Sequence, residues 1–207
     1  LGRELLLTVP DLTERLIRKH PSLEHAGDWL RPGRTDLPHD PFAVLGGSTL
    51  LSQAHALLTG EILGMQPDAV LGVSSGETNS IMATGAWRDL DGLFEDIRAS
   101  GMYSREIAGD YQVVRRAWGL ETDAAIDWQA WRVRGPVDRV EQAVAAEPHA
   151  HLTMINSPLD CVVAGLADAC QRILDRVGGH GVPLGHDIVA HAPEMETWRE
   201  AWHEIHH

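Results

Sequence analysis

The stretch Ala69–Glu77 reads AVLGVSSGE, and it predicts the local structure from which the rest of the fold can be worked out. Its first five residues are apolar or glycine and lie between Asp68 and Ser74, which is typical of a short buried strand. Glu77 then stands in the first turn of a helical pattern, where an acidic side chain is favourable. We therefore expect a strand, a sharp turn at Ser74 and a helix.

Residues 72–76, GVSSG, match the G-x-S-x-G pattern of a nucleophile elbow. In such an elbow a strained strand-to-helix turn exposes a serine hydroxyl at the end of a sheet, and small residues are needed because the two backbones crowd each other. The same residues also suit a plain strand-turn-helix link that uses glycine only for the turn. If the elbow is catalytic, Ser74 is the nucleophile and the backbone N–H of Ser75 stabilises an oxyanion.

A serine nucleophile needs a base, because its hydroxyl is barely ionised at neutral pH. The chain has 12 histidines, and His191 is the strongest candidate because it follows a predicted strand, Val182–Ala190, and precedes Pro193. Catalytic groups in open α/β sheets collect at such carboxyl ends of strands. His186 is the second candidate and lies within the same predicted strand.

The pattern of the chain changes after Thr122. Alternation and helical periodicity there predict the order β-α-β-β-α-β, the ferredoxin-like arrangement. The predicted strands are 128–133, 152–155, 161–164 and 182–190, and the helices are 136–146 and 166–177. We expect a small ferredoxin-like subdomain at residues 125–187, inserted in an α/β body formed by residues 1–124 and 188–207. In the body, helices are predicted at 4–18, 49–63, 89–99 and 110–118, and a loop at 20–41.

The composition excludes several classes of protein. With 207 residues, of which 43% are hydrophobic and 23% charged, the chain is globular rather than disordered. Two cysteines exclude a disulfide scaffold and a four-thiolate zinc site. The formal charge of -13 repels nucleic acids as a whole. No apolar run is long enough to span a membrane and no signal peptide is recognised, so we expect a cytoplasmic location.

Four motifs together resemble those of malonyl/acyl-CoA:acyl-carrier-protein transacylases and of the acyltransferase domains of type I polyketide synthases. Residues 70–77, VLGVSSGE, resemble the family's G-H-S-x-G-E elbow, and residues 1–6, LGRELL, resemble its M-G-R-E-L stretch. Residues 156–165, NSPLDCVVAG, resemble the N-x-P…V-V-x-G hairpin of its ferredoxin-like subdomain. Residues 191–195, HAPEM, resemble the H-S-P-x-M motif around its catalytic histidine. The motifs occur in the family's order.

The resemblance implies a hydrolase-like parallel-sheet body, a ferredoxin-like subdomain and a two-step acyl transfer. Ser74 attacks the thioester of acyl-CoA and becomes an acyl-enzyme, and the phosphopantetheine thiol of an acyl carrier protein then takes the acyl group. His191 takes the serine proton, protonates the leaving thiolate and deprotonates the incoming thiol. No bound cofactor or metal is implied. The expected partners are acyl-CoA, the carrier protein and neighbouring synthase domains.

The sequence departs from the family in three places. Val73 replaces the histidine before the nucleophile. The N-terminal G-Q-G-S-Q segment, which supplies the family's second oxyanion donor, is absent, as are its closing strands and helix, so the resemblance implies truncation at both ends. Ala99 stands where malonyl-specific members carry an arginine, and Arg98 comes one position early. Since one residue turns a helix by about 100°, Arg98 should point elsewhere, and we expect little preference for malonyl.

A further resemblance, carried by two short motifs, also implies that the substrates are uncharged acyl groups. Residues 85–87, GAW, and 114–118, VRRAW, resemble acyltransferases of polyunsaturated-fatty-acid-synthase-like systems. Arg98 and Asn156 remain candidate substrate-binding residues, and the candidate carrier-docking residues are Arg132, Arg134 and Arg139. Two alternatives stay open: a proofreading thioesterase that uses the same serine with water as acceptor, and a docking domain without activity.

Overall fold

A computed structural model describes residues 2–28, 40–121, 124–178 and 180–206, without the side chains of Arg3 and Pro10. The chain divides into two units, Leu1–Asp96 and Ile97–His207. This division lies at a different place from the predicted subdomain boundaries at 124/125 and 187/188, which stay predictions.

The first unit is helical in its described part. Its helices are α1 (Gly2–Thr8), α2 (Pro10–Lys19), α3 (Pro41–Leu57), α4 (Ser75–Ala83) and the start of α5 (Leu90–Ser100), with a 3₁₀ turn at Pro21–Leu23 and a π-helical turn at Leu58–Ile62. Helix α3 begins earlier than predicted because Asp40 caps it: the carboxylate accepts hydrogen bonds from the N–H groups of Phe42 and Ala43, at 3.3 and 3.1 Å. The predicted loop 20–41 lies partly outside the described residues.

The predicted buried strand at Ala69–Val73 is wrong. The segment is irregular and exposed, with Leu71 at 88% and Val73 at 69% of full exposure. A strand is held by hydrogen bonds to a neighbouring strand, and no strand occurs among the described residues of the first unit. The apolar run therefore has the composition of a strand but no ladder to join, and the parallel sheet of the predicted body is not found in the described residues.

The second unit is a mixed α/β structure built on a four-stranded antiparallel sheet. After the end of α5, a π-helical turn at Met102–Glu106 and α6 (Gln112–Trp118), the elements are β1 (Trp128–Arg134), α7 (Val137–Val144), β2 (Ala150–Ser157), β3 (Asp160–Leu166), α8 (Ala167–Val177) and β4 (His180–Pro183). The strand order is β2-β3-β1-β4. Both β2 and β1 pair antiparallel with β3, and β4 pairs with β1. The predicted β-α-β-β-α-β order is therefore present.

Helices α7 and α8 cover one face of this sheet. Val133 of β1 and Val163 of β3 point toward Val140 of α7 and Ile173 of α8, and all four are fully or nearly fully buried. Trp131 of β1, which is partly buried, packs against the same layer as Val133, because residues two apart along a strand lie on one face. The core of the second unit lies between the two helices and the sheet.

The last predicted strand, Val182–Ala190, is shorter and starts earlier than expected. Strand β4 ends at Pro183, which pairs with Trp131, and the chain then turns at Gly185, whose φ of +75° leaves the strand conformation. Residues 184–190 are irregular, a 3₁₀ helix follows at Pro193–Trp198, and α9 (Arg199–Ile205) comes last. His191 therefore follows an irregular segment rather than a strand.

Candidate active site

Ser74 forms a strained turn at the start of α4. Its backbone has φ +56° and ψ -128°, a combination that L-residues rarely adopt, and its side chain is exposed. A non-glycine residue held in such a conformation costs about 1–3 kcal/mol and persists only where its surroundings impose it. The turn is therefore elbow-like, as the sequence predicts for this position, although the residues before it do not form a strand.

Gly72 is needed for the close approach of the two backbones in this turn. A Cβ atom at residue 72 would lie 2.0 Å from the carbonyl oxygen of Gly76 and 2.4 Å from the backbone nitrogen of Glu77. Real Cβ contacts essentially never fall below 3.0 Å. The first glycine of the G-x-S-x-G pattern is thus a steric requirement of the turn. A Cβ atom at Gly76 would meet nothing within 4 Å.

Helix α4 is anchored to α3 by a buried amide pair. The side-chain amide of Gln53 donates to the carbonyl oxygen of Asn79 at 3.0 Å and to its side-chain oxygen at 3.2 Å, and the side-chain amide of Asn79 donates to the carbonyl of Ser75 at 2.9 Å. Directional hydrogen bonds between buried groups fix the helix that follows Ser74. Sequence reasoning missed both residues, since no motif marks a contact between positions so far apart.

Ser75 opens α4, so its backbone N–H has no carbonyl partner within the helix. The first turn of the helix also carries the positive end of the helix dipole. The position therefore suits an oxyanion donor, the predicted role of Ser75.

His191 also has a positive φ, which is uncommon for a residue other than glycine. Among the described residues, three that are not glycine have a positive φ: Ser74 at +56°, Tyr111 at +53° and His191 at +55°. His191 is exposed, whereas Ala192, which follows it, is buried. The two residues chosen from sequence as nucleophile and base are thus two of these three strained positions. Ser74 belongs to the first unit and His191 to the second.

Two of the hydrogen bonds that fix the chain before His191 lead to Ile107 and Tyr111. The N–H of Val189 donates to the carbonyl of Ile107 at 2.8 Å, and the hydroxyl of Tyr111 donates to the carbonyl of Asp187 at 2.9 Å. Burial, together with the nearby carboxylates of Asp187 and Asp127, raises the pKa of Tyr111, so the hydroxyl keeps its proton at neutral pH. The segment that leads to His191 is therefore held against two other parts of the second unit.

After His191, a buried carboxylate fixes the chain. Glu194 is 3% exposed, and its Oε1 accepts a hydrogen bond from Nε1 of Trp118 at 2.9 Å and another from Nε2 of His151 at 2.8 Å. Burial alone raises the pKa of Glu194, but the hydrogen bonds from His151 and Trp118 outweigh it, and the pKa is lowered. An ionised carboxylate only accepts, so Nε2 of His151 carries the hydrogen in this contact.

The remaining candidate residues lie elsewhere in the second unit. Arg98 is exposed in the last turn of α5. The side-chain amide of Asn156 donates to Asp160 at 2.7 Å, and Nη2 of Arg132 lies 2.7 Å from the same carboxylate. Arg134 is 4.0 Å from Asp160. Asp160 thus offsets part of the positive charge of this cluster. Arg139 lies on the exposed side of α7.

Neither a metal cluster nor a membrane span is found in the part of the chain that the structure describes. Its residues contain no group of three or more histidine, cysteine, aspartate or glutamate side chains that could hold a metal ion. In the same part of the chain, no helix combines the length and apolar character needed to cross a membrane.

Comparison with known proteins finds a fatty acid synthase subunit by sequence and acyltransferase domains by structure. No family model matches the chain. It is 27% identical over 215 residues to one of the subunits of the polyunsaturated fatty acid synthase of Thraustochytrium sp. (strain ATCC 26185 / S-3), covering 95% of this chain and 10% of the relative. It thus spans about a tenth of the length of that protein.

Solved structures show the same likeness at the level of the fold. The acyltransferase domain of the polyketide synthase PpsC of Mycobacterium tuberculosis has a TM-score of 0.68 at 18% identity, with 99% of this chain and 58% of that chain covered. An acyl carrier protein S-malonyltransferase from Vibrio cholerae O1 biovar eltor has a TM-score of 0.64 at 18% identity, with coverages of 94% and 61%. The chain therefore has the fold of acyltransferase domains, and the resemblance predicted from its motifs is confirmed.

Proposed function

We propose that the chain is an acyltransferase domain that moves an acyl group from coenzyme A, through an acyl-enzyme on Ser74, to the phosphopantetheine thiol of an acyl carrier protein in fatty acid or polyketide synthesis. One observation carries the proposal: the serine of the G-x-S-x-G motif and the histidine of the HAPEM motif both have a strained backbone in a chain with an acyltransferase fold. Strain of this kind clusters at active sites because the surrounding structure must maintain it.

In the first step, His191 accepts the proton of Ser74 while the serine oxygen bonds to the thioester carbon. The N–H of Ser75 stabilises the oxyanion of the tetrahedral intermediate, and His191 returns the proton to the coenzyme A thiolate as the C–S bond breaks. In the second step the carrier thiol gives its proton to His191 and attacks the ester, and Ser74 leaves with that proton. One positioned acid–base group contributes about 10²–10⁴-fold to such a rate.

The decisive experiment is the mass of the intact protein after exposure to a panel of acyl-CoAs. A covalent acyl adduct is expected on the native chain and on Ser75→Ala, because that variant keeps the backbone N–H. No adduct is expected on Ser74→Ala. An adduct that survives in Ser74→Ala refutes the assignment of the nucleophile.

The base has its own matched pair of variants. His191→Ala should slow adduct formation by about 10²–10⁴-fold, whereas His186→Ala, which removes another exposed histidine of the same segment, should leave the rate unchanged. Equal rates in the two variants would mean that His191 is not the base. The adduct should also persist until carrier protein is added, since spontaneous decay would identify a thioesterase.

We further propose that the domain accepts uncharged acyl groups at least as well as malonyl. Ala99 lies in the last turn of α5 and carries no charge to pair with a malonyl carboxylate, and Arg98 points in a direction about 100° away around the helix. In competition, acetyl-CoA should load at least as fast as malonyl-CoA. Ala99→Arg should shift the ratio toward malonyl and Ala99→Gln should not, while strong malonyl selectivity in the native chain would contradict the proposal.

Docking of the carrier protein is proposed at Arg132, Arg134 and Arg139. Because Asp160 pairs with Arg132 at 2.7 Å and lies 4.0 Å from Arg134, Arg139 should contribute most to the attraction of an acidic partner. Arg139→Ala should raise the KM for carrier protein more than Arg132→Ala, without changing the rate of loading from acyl-CoA. A larger effect from Arg132→Ala would place the docking surface on the sheet instead.

A further inference from the structure

The segment on either side of His191 is held differently. Before it, most of the bonds go to main-chain atoms of the segment: Val189 donates to Ile107, and the carbonyl of Asp187 accepts from Tyr111. The carboxylate of Asp187 also accepts from the N–H of Ala130, at 3.3 Å. After it, the side chain of Glu194 reaches both α6, through Trp118, and β2, through His151. One carboxylate oxygen thus links the 3₁₀ helix that follows His191 to two other elements of the second unit.

We propose that Glu194 is a positioning residue for His191, an inference that rests on the proposed function. His191 keeps a φ of +55°, which relaxes unless the chain on both sides is fixed. Glu194 lies three residues after His191, in the first turn of the 3₁₀ helix, and its carboxylate fixes that turn through two charge-assisted hydrogen bonds of 2.8 and 2.9 Å. Both bonds are directional, so they determine the orientation as well as the distance of the turn.

The burial of Glu194 supports a role beyond stability. A buried carboxylate is costly to desolvate, and apolar residues of similar volume often stabilise a fold as well or better. Its second oxygen, Oε2, is buried and has no hydrogen-bond partner among the described residues, which adds to this cost. A glutamate at this place is therefore explained by the orientation that its bonds impose on the neighbouring chain.

The chain offers a matched control in Glu196. It belongs to the same 3₁₀ helix, is exposed, and pairs with Arg199, also exposed. A change at Glu196 alters the charge of this helix by the same amount as a change at Glu194, but leaves the contacts with Trp118 and His151 intact.

The test measures acyl loading of Ser74 by stopped-flow and mass analysis. Glu194→Ala should lower the loading kcat by about 10- to 100-fold, because a displacement of about 1 Å in a catalytic group has an effect of this size. The KM for acyl-CoA should not change, because Glu194 is not proposed to contact the substrate. Glu194→Gln, which keeps the acceptor oxygen but not the charge, and Trp118→Phe, which removes one donor, should show smaller losses of kcat. Glu196→Ala should behave as the native chain.

A second measurement separates this inference from the proposed function. Amide hydrogen exchange of residues 189–198 should become faster in Glu194→Ala than in Glu196→Ala, with exchange in α7 and α8 unchanged. If the native chain never acylates Ser74, the proposed function fails while hydrogen exchange still tests the anchoring. Equal exchange and equal loading in the Glu194 and Glu196 variants overturn the inference. The inference is also overturned if the whole second unit unfolds in Glu194→Ala, Glu194→Gln and Trp118→Phe. Glu194 would then contribute to the stability of the unit as a whole rather than to the position of His191.

Discussion

Replacement of Gly72 by alanine is expected to disable the turn at Ser74 with little effect elsewhere. The added methyl carbon would lie 2.0 Å from the oxygen and 2.1 Å from the carbon of the Gly76 carbonyl, and 2.4 Å from the nitrogen of Glu77. All three are main-chain atoms, so no side-chain rotation relieves the contact. To restore the 3.0 Å minimum seen in real contacts, one backbone must move by about 1 Å relative to the other.

The expected kinetic loss follows from that displacement. A shift of about 1 Å at a reacting group costs about 10²-fold in rate, so Gly72→Ala should acylate Ser74 about a hundred times more slowly than the native chain. Gly76→Ala adds the same methyl group to the same turn. Since it meets nothing within 4 Å, its loading rate should not change.

The assay is rapid mixing with acyl-CoA, acid quenching and intact-mass measurement of the acylated fraction over time. Circular dichroism and hydrogen exchange in α3 would show that the first unit remains folded in both variants. If Gly72→Ala loads as fast as Gly76→Ala, the close approach at residue 72 has no bearing on the nucleophile, and the steric argument for the motif fails.

Three further predictions concern the second unit. Ile173→Ala, at a fully buried position, should lower the free energy of unfolding by about 2–5 kcal/mol. Ile155→Ala, at a 58% exposed position, should lower it by less than about 0.5 kcal/mol. Denaturant titration measures both losses, and equal losses would contradict the placement of Ile173 in the core. Burial raises the pKa of the Cys170 thiol to about 12. Iodoacetamide at pH 8 should therefore label this residue in the unfolded chain but not in the native chain. A mass spectrum that shows labelling of Cys170 in the native chain would disprove this. The folded-state pKa of Glu194 is lowered from an unfolded value near 4.5, so its ionisation stabilises the fold above that pH and the stabilisation is lost as the pH falls through the lower folded value. The stability difference between the native chain and Glu194→Gln should therefore shrink in acid, and a difference that stays constant below pH 4.5 would show that Glu194 does not titrate this way.

The second unit could be predicted from the sequence because its pattern is complete within a short segment. In strand β1 the most buried side chains, Trp128, Ala130 and Val133, are separated by less buried ones. The glycines and prolines between the elements mark the turns, so the sheet and the helices follow from local periodicity. The end of β4 could not be predicted, because the apolar residues after Pro183 continue the composition of a strand while Gly185 turns the chain.

The strand before Ser74 shows the opposite case. An apolar run predicts burial, but burial depends on a partner that periodicity does not reveal, and Leu71 is exposed in the structure. The turn itself was predictable, since G-x-S-x-G encodes a steric requirement at Gly72 that the backbone confirms. The supporting residues Gln53, Asn79 and Glu194 were not, because their hydrogen bonds join positions brought together only by folding.

The exposed apolar segment around Leu71 has a consequence for how copies of the chain behave in solution. Leu63, Met65, Val70, Leu71 and Val73 all present large apolar side chains to solvent, a surface that favours clustering. The formal charge of -13 opposes this through mutual repulsion, but repulsion reaches only about 10 Å at 0.1 M salt. Turbidity and light scattering should therefore increase as sodium chloride is added, and a mild detergent should reverse the effect.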